Sequence, residues 1–162
     1  MKARPLIMAI MTVTIIAFLG FFFVQSKKAP TMDKTAIAND LIKGTEEILK
    51  SEPNNFEFGM EKKFEDKLFV IYSFEKNETK YLGYGVYKEI KPQKYSRESI
   101  GNYQYIDESI CFGTEALKLK SKDITIAFGK NSSDKTIYKV INIDGKDFTV
   151  EFEKGYSIKQ IN

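Results

Sequence analysis

The chain has 162 residues, with 25 Lys and Arg against 22 Asp and Glu, a single cysteine and no histidine. Without histidine, Ser-His-Asp and Cys-His catalysis cannot be built from this chain alone, and the lone Cys111 excludes an intrachain disulfide, a CxxC redox pair and a cysteine-based zinc site. Two of the positive residues, Lys2 and Arg4, precede residue 27, which leaves 23 against 22 in the remainder, and a domain so near neutrality has no electrostatic footprint for nucleic acid.

The first element in chain order is the run Pro5 to Val24, twenty residues without a charge. As a helix it would span about 30 Å, the thickness of the bilayer hydrocarbon. Lys2 and Arg4 flank it on one side, Lys27 and Lys28 on the other. Two readings share this layout. A retained signal-anchor fits the length, since the apolar region of a cleaved signal runs only about 7 to 15 residues. Cleavage before Lys27 fits the small or short residues of Val24-Gln25-Ser26 and would release the domain. The sequence predicts residues 1–26 as the anchor, 27–32 as a juxtamembrane spacer and 33–162 as one extracytoplasmic domain. A short basic head before a long folded tail is the ordinary arrangement with the tail outside.

Beyond the spacer the pattern is that of a folded domain, and thirteen Phe and nine Tyr over the chain supply material for a core. Ile37, Leu41, Ile42, Ile48 and Leu49 fall on one stripe, which predicts an amphipathic helix over 33–50 with Asp33 as its cap and Pro53 as its stop. After Pro53 the period becomes alternating. Phe56, Phe58 and Met60 are expected on one face of a short strand. Leu68 to Phe74 is apolar on both faces and is expected to be central. Tyr81 to Ile90 reads as its return strand, and 91–99, with Pro92, as a loop. Tyr103 to Tyr105 reads as a short strand. Strands are also predicted at 123–129, 136–143 and 147–152, the last two joined by Asp144-Gly145, and a final turn leads to Tyr156 and Ile158.

This element order predicts an α+β fold, one helix packed on an antiparallel sheet, for which a cystatin-like arrangement is the nearest analogy. The phrase Ile124 to Asn131, followed by Thr136 to Val140, together with the anchor, helix and β-rich tail, resembles small membrane-anchored exported proteins of low-GC Gram-positive bacteria. That resemblance implies no activity and no functional residue.

Candidate binding residues come from local pattern. In a strand, Tyr81, Gly83, Gly85 and Tyr87 share one face, a bare strip between aromatic walls that would seat a sugar ring or a peptide strand, or else let the helix lie close. Tyr95, Arg97, Tyr103 and Tyr105 form a second aromatic and basic stretch suited to envelope polymers or lipid headgroups, or to packing back on the sheet. Glu61, Glu65 and Asp66, interleaved with lysines, read as a solvated surface rather than a glycosidase pair. Asn77-Glu78-Thr79 and Asn131-Ser132-Ser133 match the glycosylation pattern and read as polar turns. Cys111, between Ile110 and Phe112, is expected to be buried. No catalytic residue, cofactor or metal is assigned. The expected role is a membrane-tethered binding domain whose partners are the membrane and an envelope protein or cell-wall polymer. The alternatives are a carboxylate-dependent cell-wall glycan hydrolase and an accessory subunit of a membrane complex.

Overall fold

The computed structural model describes residues 31–105 and 109–161. The apolar run 5–24 and its flanking Lys27 and Lys28 lie outside the described residues. Among the described residues no helix is long and apolar enough to cross a membrane. The elements are β1 (Met32–Asp33), a 3-10 turn (Lys34–Ala36), helix α1 (Ile37–Leu49), β2 (Asn54–Phe64), β3 (Lys67–Lys76), β4 (Thr79–Lys91), β5 (Lys94–Gln104), β6 (Ile110–Lys118), β7 (Asp123–Asn131), β8 (Ile137–Ile143), β9 (Lys146–Phe152) and β10 (Gly155–Gln160). The fold is α+β, and all recorded strand pairs are antiparallel.

Among the described residues the strands form three sheets rather than one: β1-β5-β4-β3-β2, β10-β7-β6 and the hairpin β8-β9. The strict alternation of β3 explains the stack. Leu68, Val70, Tyr72 and Phe74 meet Ile37 and Leu41 of the helix, while Phe69 and Ile71 meet Ile124, Ile126 and Phe128 of the second sheet. Ala127, on the opposite face of β7, packs with Ile141, Val150 and Phe152 of the hairpin. Helix, first sheet, second sheet and hairpin are thus separated by three apolar cores. β3, expected to be central from its all-apolar sequence, is an interior strand between β2 and β4, while β4 holds the middle of the five.

Helix α1 begins later than its sequence suggests. Asp33 makes no capping bond, because it is extended in β1, opposite Lys94, and its carboxylate reaches the Lys94 ammonium at 2.5 Å. The helix ends on Lys50 in the left-handed conformation (φ 55°), and the Leu49 carbonyl accepts a 2.7 Å bond from Lys76 Nζ.

Three further expectations are corrected. The predicted loop 91–99 is a two-residue turn, Pro92–Gln93, followed by β5, which continues through the expected short strand to Gln104. Pro92 shapes the turn without interrupting the strand after it. Met60 does not share a face with Phe58, because a bulge between them shifts the register: Phe58 lies opposite Tyr72 and Met60 opposite Ile71. Finally, β6 is a full strand that the periodicity does not announce, since both its faces are covered. Cys111 and Leu117 point to the first core, Ile110 and Phe112 to the third.

Candidate functional site

The sequence-derived candidates fall in three places. On the helix side of the first sheet, the glycine strip is a packing surface: Gly83, Gly85 and Tyr87 are buried. A Cβ on Gly85 would sit 2.6 Å from Leu41 Cδ2 of the helix, and one on Gly83 would enter the ring of Tyr72. Tyr81 stacks on Phe74, ring centroids 5.1 Å apart, and the Tyr87 hydroxyl donates to Asp40 at 2.9 Å. Tyr95 is buried in the same core. Arg97 reaches over the helix to the Asp40 carbonyl (3.4 Å) and carboxylate (3.6 Å) and to Glu47 (3.3 Å). The half-buried Tyr103 lies between the two sheets, where its hydroxyl donates to the Thr114 carbonyl at 3.1 Å. Tyr105 lies elsewhere, on the wall of a cleft.

The acidic group disperses as well. Glu61 pairs with Lys34, and Glu65 accepts bonds from the Lys120 N–H (2.9 Å), the Ser121 N–H (3.3 Å) and the Ser121 hydroxyl. Asp66 is buried rather than solvated, with Oδ2 3.5 Å from Lys120 and Oδ1 without a hydrogen-bond partner among the described residues. Asn131 is buried too, donating to the carbonyls of Lys135 (2.8 Å) and Phe152 (2.9 Å), which makes it a structural clamp. Cys111 is buried as expected, and burial pushes its thiol up to about 11. Among the described residues no cluster of three Cys, Asp or Glu side chains could hold a metal ion.

A polar cleft of about 240 Å³ is lined by Asn55, Glu57, Ser73, Phe74, Glu75, Lys80, Tyr105, Lys130 and Ser132. Two features of β2 build it. A register shift between Asn54 and Glu57 sets Glu57 opposite Ser73 on the second-sheet side, while Phe56, stacked on Tyr72, stays on the helix side. Gly59 then lets the ring of Tyr156 from β10 lie against the strand, where any Cβ would be 2.5 Å from that ring. Lys130 arrives from the end of β7, and Tyr105 just past β5.

The side chains form one network. Lys130 Nζ donates to Glu57 Oε2 (2.6 Å) and Ser73 Oγ (3.2 Å) and lies 4.7 Å from the centre of the Tyr156 ring. Ser73 Oγ and the Tyr156 hydroxyl are 2.7 Å apart, and Asn55 holds Glu75 at 2.6 Å. The bond from Lys130 holds the Glu57 carboxyl below its ordinary range. Burial opposes the charge on Lys130, but Glu57 and Tyr156 outweigh it, so its pKa is raised and the ammonium persists at neutral pH. A Ser-Lys pair becomes a nucleophile only when the lysine is neutral enough to accept the hydroxyl proton. Here the lysine is held charged. The cleft therefore presents fixed donors, fixed acceptors and a Tyr105 wall, an arrangement for recognising a polar group.

Of the expected binding residues Tyr105 lines this cleft, as does Ser132 of the Asn131-Ser132-Ser133 turn, while Glu57, Ser73, Lys130 and Tyr156 carry no local signal. No protein-family model, no curated protein and no solved structure matches the chain.

Proposed function

We propose that the chain is a membrane-tethered extracytoplasmic binding domain whose ligand, a polar polymer of the envelope, seats a sugar-sized group in the cleft beside Glu57, Lys130 and Tyr105. The tether rests on the uncharged run Pro5 to Val24 and the orientation on its short basic head. The observation that carries the binding reading is the Glu57–Lys130 pair at 2.6 Å, which arrays charge on the cleft wall and keeps it from acid–base work. The cleft lies just below the roughly 300 Å³ at which pockets for drug-sized ligands begin, so it suits one residue of a polymer rather than a large cofactor.

Full-length protein in detergent, sedimented with purified peptidoglycan sacculi, tests the ligand. Lys130→Met removes a charge-assisted donor worth about 1.5–3 kcal/mol and should weaken binding roughly tenfold or more. Tyr105→Ala should weaken it as well. Equal sedimentation of wild type and both variants would rule the cleft out. Protease added to intact spheroplasts tests the address: digestion of the domain supports the proposal, protection reverses the orientation, and a chain beginning at Lys27 in the medium reveals cleavage.

One observation favours a second reading, a cell-wall glycan hydrolase: Glu57 and Glu75 both line the cleft. Such an enzyme needs one protonated acid, and Glu57 is held ionised by Lys130. Release of reducing ends from sacculi by wild type, abolished in Glu75→Gln, would favour the hydrolase over the binder.

A further inference from the structure

The end of the domain opposite the cleft is assembled from the chain's entry point and three turns. Met32 lies opposite Tyr95, at the start of β5. The turn at Glu65 and Asp66 is tied to the β6–β7 turn by the bond from the Lys120 N–H to Glu65, and to β4 by the bond from the Glu89 N–H to the Asp66 carbonyl. Beside them the tip of the β4–β5 hairpin carries Ile90, half exposed at 50%, next to Lys91 and Pro92. Lys63, Asp66, Glu89, Ile90, Lys91, Pro92 and Lys120 line an open groove of about 440 Å³.

Charge at this end is unbalanced. Glu89 is held by Lys63 at 2.5 Å, Asp33 by Lys94 at 2.5 Å, and Asp66 lies 3.5 Å from Lys120, while Glu65 bonds Ser121 and keeps its negative charge. Lys88, Lys91, Lys118 and Lys122 are exposed and have no side-chain partner among the described residues, against two acids without a cationic partner, Asp123 and Glu65. The patch thus offers free ammonium groups around one exposed apolar side chain. Seven residues lie between the end of the apolar run at Val24 and Met32, and the eight steps from one to the other reach at most about 28 Å when fully extended. A surface so tethered meets the bilayer at high effective concentration, and even a weak patch is then occupied.

We propose that this end of the domain docks on the anionic headgroups of the bilayer that anchors the chain, with Lys88 and Lys91 on the phosphates and Ile90 entering the interface. The occupant follows from the short tether, the excess of unpaired lysines and the exposed Ile90 among them. Docking sets the strands away from the membrane and holds the cleft at their far ends toward the cell wall. It rests on the anchor reading, and the test separates the two.

Full-length Ile90→Cys, carrying a polarity-sensitive dye, is reconstituted in vesicles of phosphatidylcholine alone or mixed with phosphatidylglycerol. Cys111 is buried, and unmutated protein serves as the labelling control. Docking predicts a blue shift of the dye in the anionic vesicles only. The shift should disappear at high salt, as screening shortens the reach of the lysines, and in the background Lys88→Glu, Lys91→Glu. A dye on Tyr138→Cys, a position 63% exposed on the outer hairpin, should report water in both vesicle types. Identical emission at position 90 in both vesicles, from protein that resists carbonate extraction, overturns the docking and leaves the anchor standing. Extraction by carbonate overturns the anchor and the docking with it.

Discussion

Tyr72 and Ser73 are consecutive on β3, and each shares a 2.7 Å hydroxyl–hydroxyl bond, Tyr72 with Thr45 and Ser73 with Tyr156. The pleat sends them to opposite faces. Tyr72 enters the core beneath the helix, where Thr45 also donates to the Leu41 carbonyl at 2.8 Å and the Arg97 guanidinium acts on the Tyr72 hydroxyl more weakly than burial does. Ser73 opens on the cleft, where Lys130 and Glu57 stand within 3.2 and 3.5 Å of its oxygen. The same bond therefore locks a helix in one region and in the other belongs to the cleft proposed to bind a ligand. What separates them is burial and a direct bond from a charged side chain, which Ser73 receives from Lys130, and each region can be disturbed without the other.

The largest effect is expected at the glycine strip. Val at position 83 would drive its side chain into the Tyr72 ring, which Phe56 already covers at 4.8 Å between centroids. Val at position 85 would meet Leu41. Overpacking of this kind costs about 1–3 kcal/mol, and Gly83→Val should reach the upper end because a stacked ring has less room to move than the Leu41 methyl. Urea midpoints should fall for both variants. Unchanged midpoints would mean that the helix does not lie on the strip, and the contrast between a dry and a wet side of β3 would fail.

How much of this was legible in the sequence differs between the two regions. Helix α1, β3, β4 and the Asp144-Gly145 hairpin follow from period and turn chemistry, and the pairing of tyrosines with glycines on one face of β4 is correctly placed by alternation alone. The polar strand β5 hides behind Pro92 because Lys94, Ser96, Glu98 and Gln104 give it no continuous apolar face. The second sheet was illegible as a separate layer, since alternation states which residues are buried and not which neighbour buries them. The cleft was less legible still. Glu57, Ser73, Lys130 and Tyr156 come from four strands, and Ser73 and Tyr156 lie 83 residues apart. Each is ordinary in its own segment; a bulge and Gly59 bring them together.

An effect of the same order as overpacking, and one confined to the buried side of β3, is expected in alkali. Burial pushes the Tyr72 hydroxyl up to about 12 from its ordinary 10, against the milder pull of its bond to Thr45. The unfolded chain loses this proton first. The contribution is therefore complete below pH 10 and is lost between pH 10 and 12, an amount of about 2–3 kcal/mol for two units of difference. Burial also raises Tyr84, Tyr87 and Tyr105, so the wild type alone reports their sum. Stability measured in urea at pH 9 and pH 11.5 for wild type and Tyr72→Phe isolates the residue. The variant should lose less on going to the higher pH. Parallel losses would place water at the Tyr72 hydroxyl and erase the difference from Ser73.

The smallest change in stability belongs to the cleft, although its expected effect on binding is large. Glu57 is more than half exposed, at 57%, and an ion pair so open to solvent contributes about 0–1 kcal/mol. Glu57→Gln should barely move the urea midpoint at pH 7 yet weaken attachment to sacculi, because the Lys130 ammonium loses the carboxylate that aims it. Acid sharpens the point. The bond from Lys130 holds the Glu57 carboxyl below its ordinary 4.5, so the folded chain releases this proton more readily than the unfolded one. The pair's small contribution is therefore present above about pH 4.5 and is lost as pH falls through the lower folded value. Wild-type binding should hold from pH 7 to pH 5 and fall in more acid solution, while binding by Glu57→Gln should be weak throughout and lack that step. A step of equal size in the variant would assign the acid sensitivity to another group, with Glu75 across the cleft the next to replace.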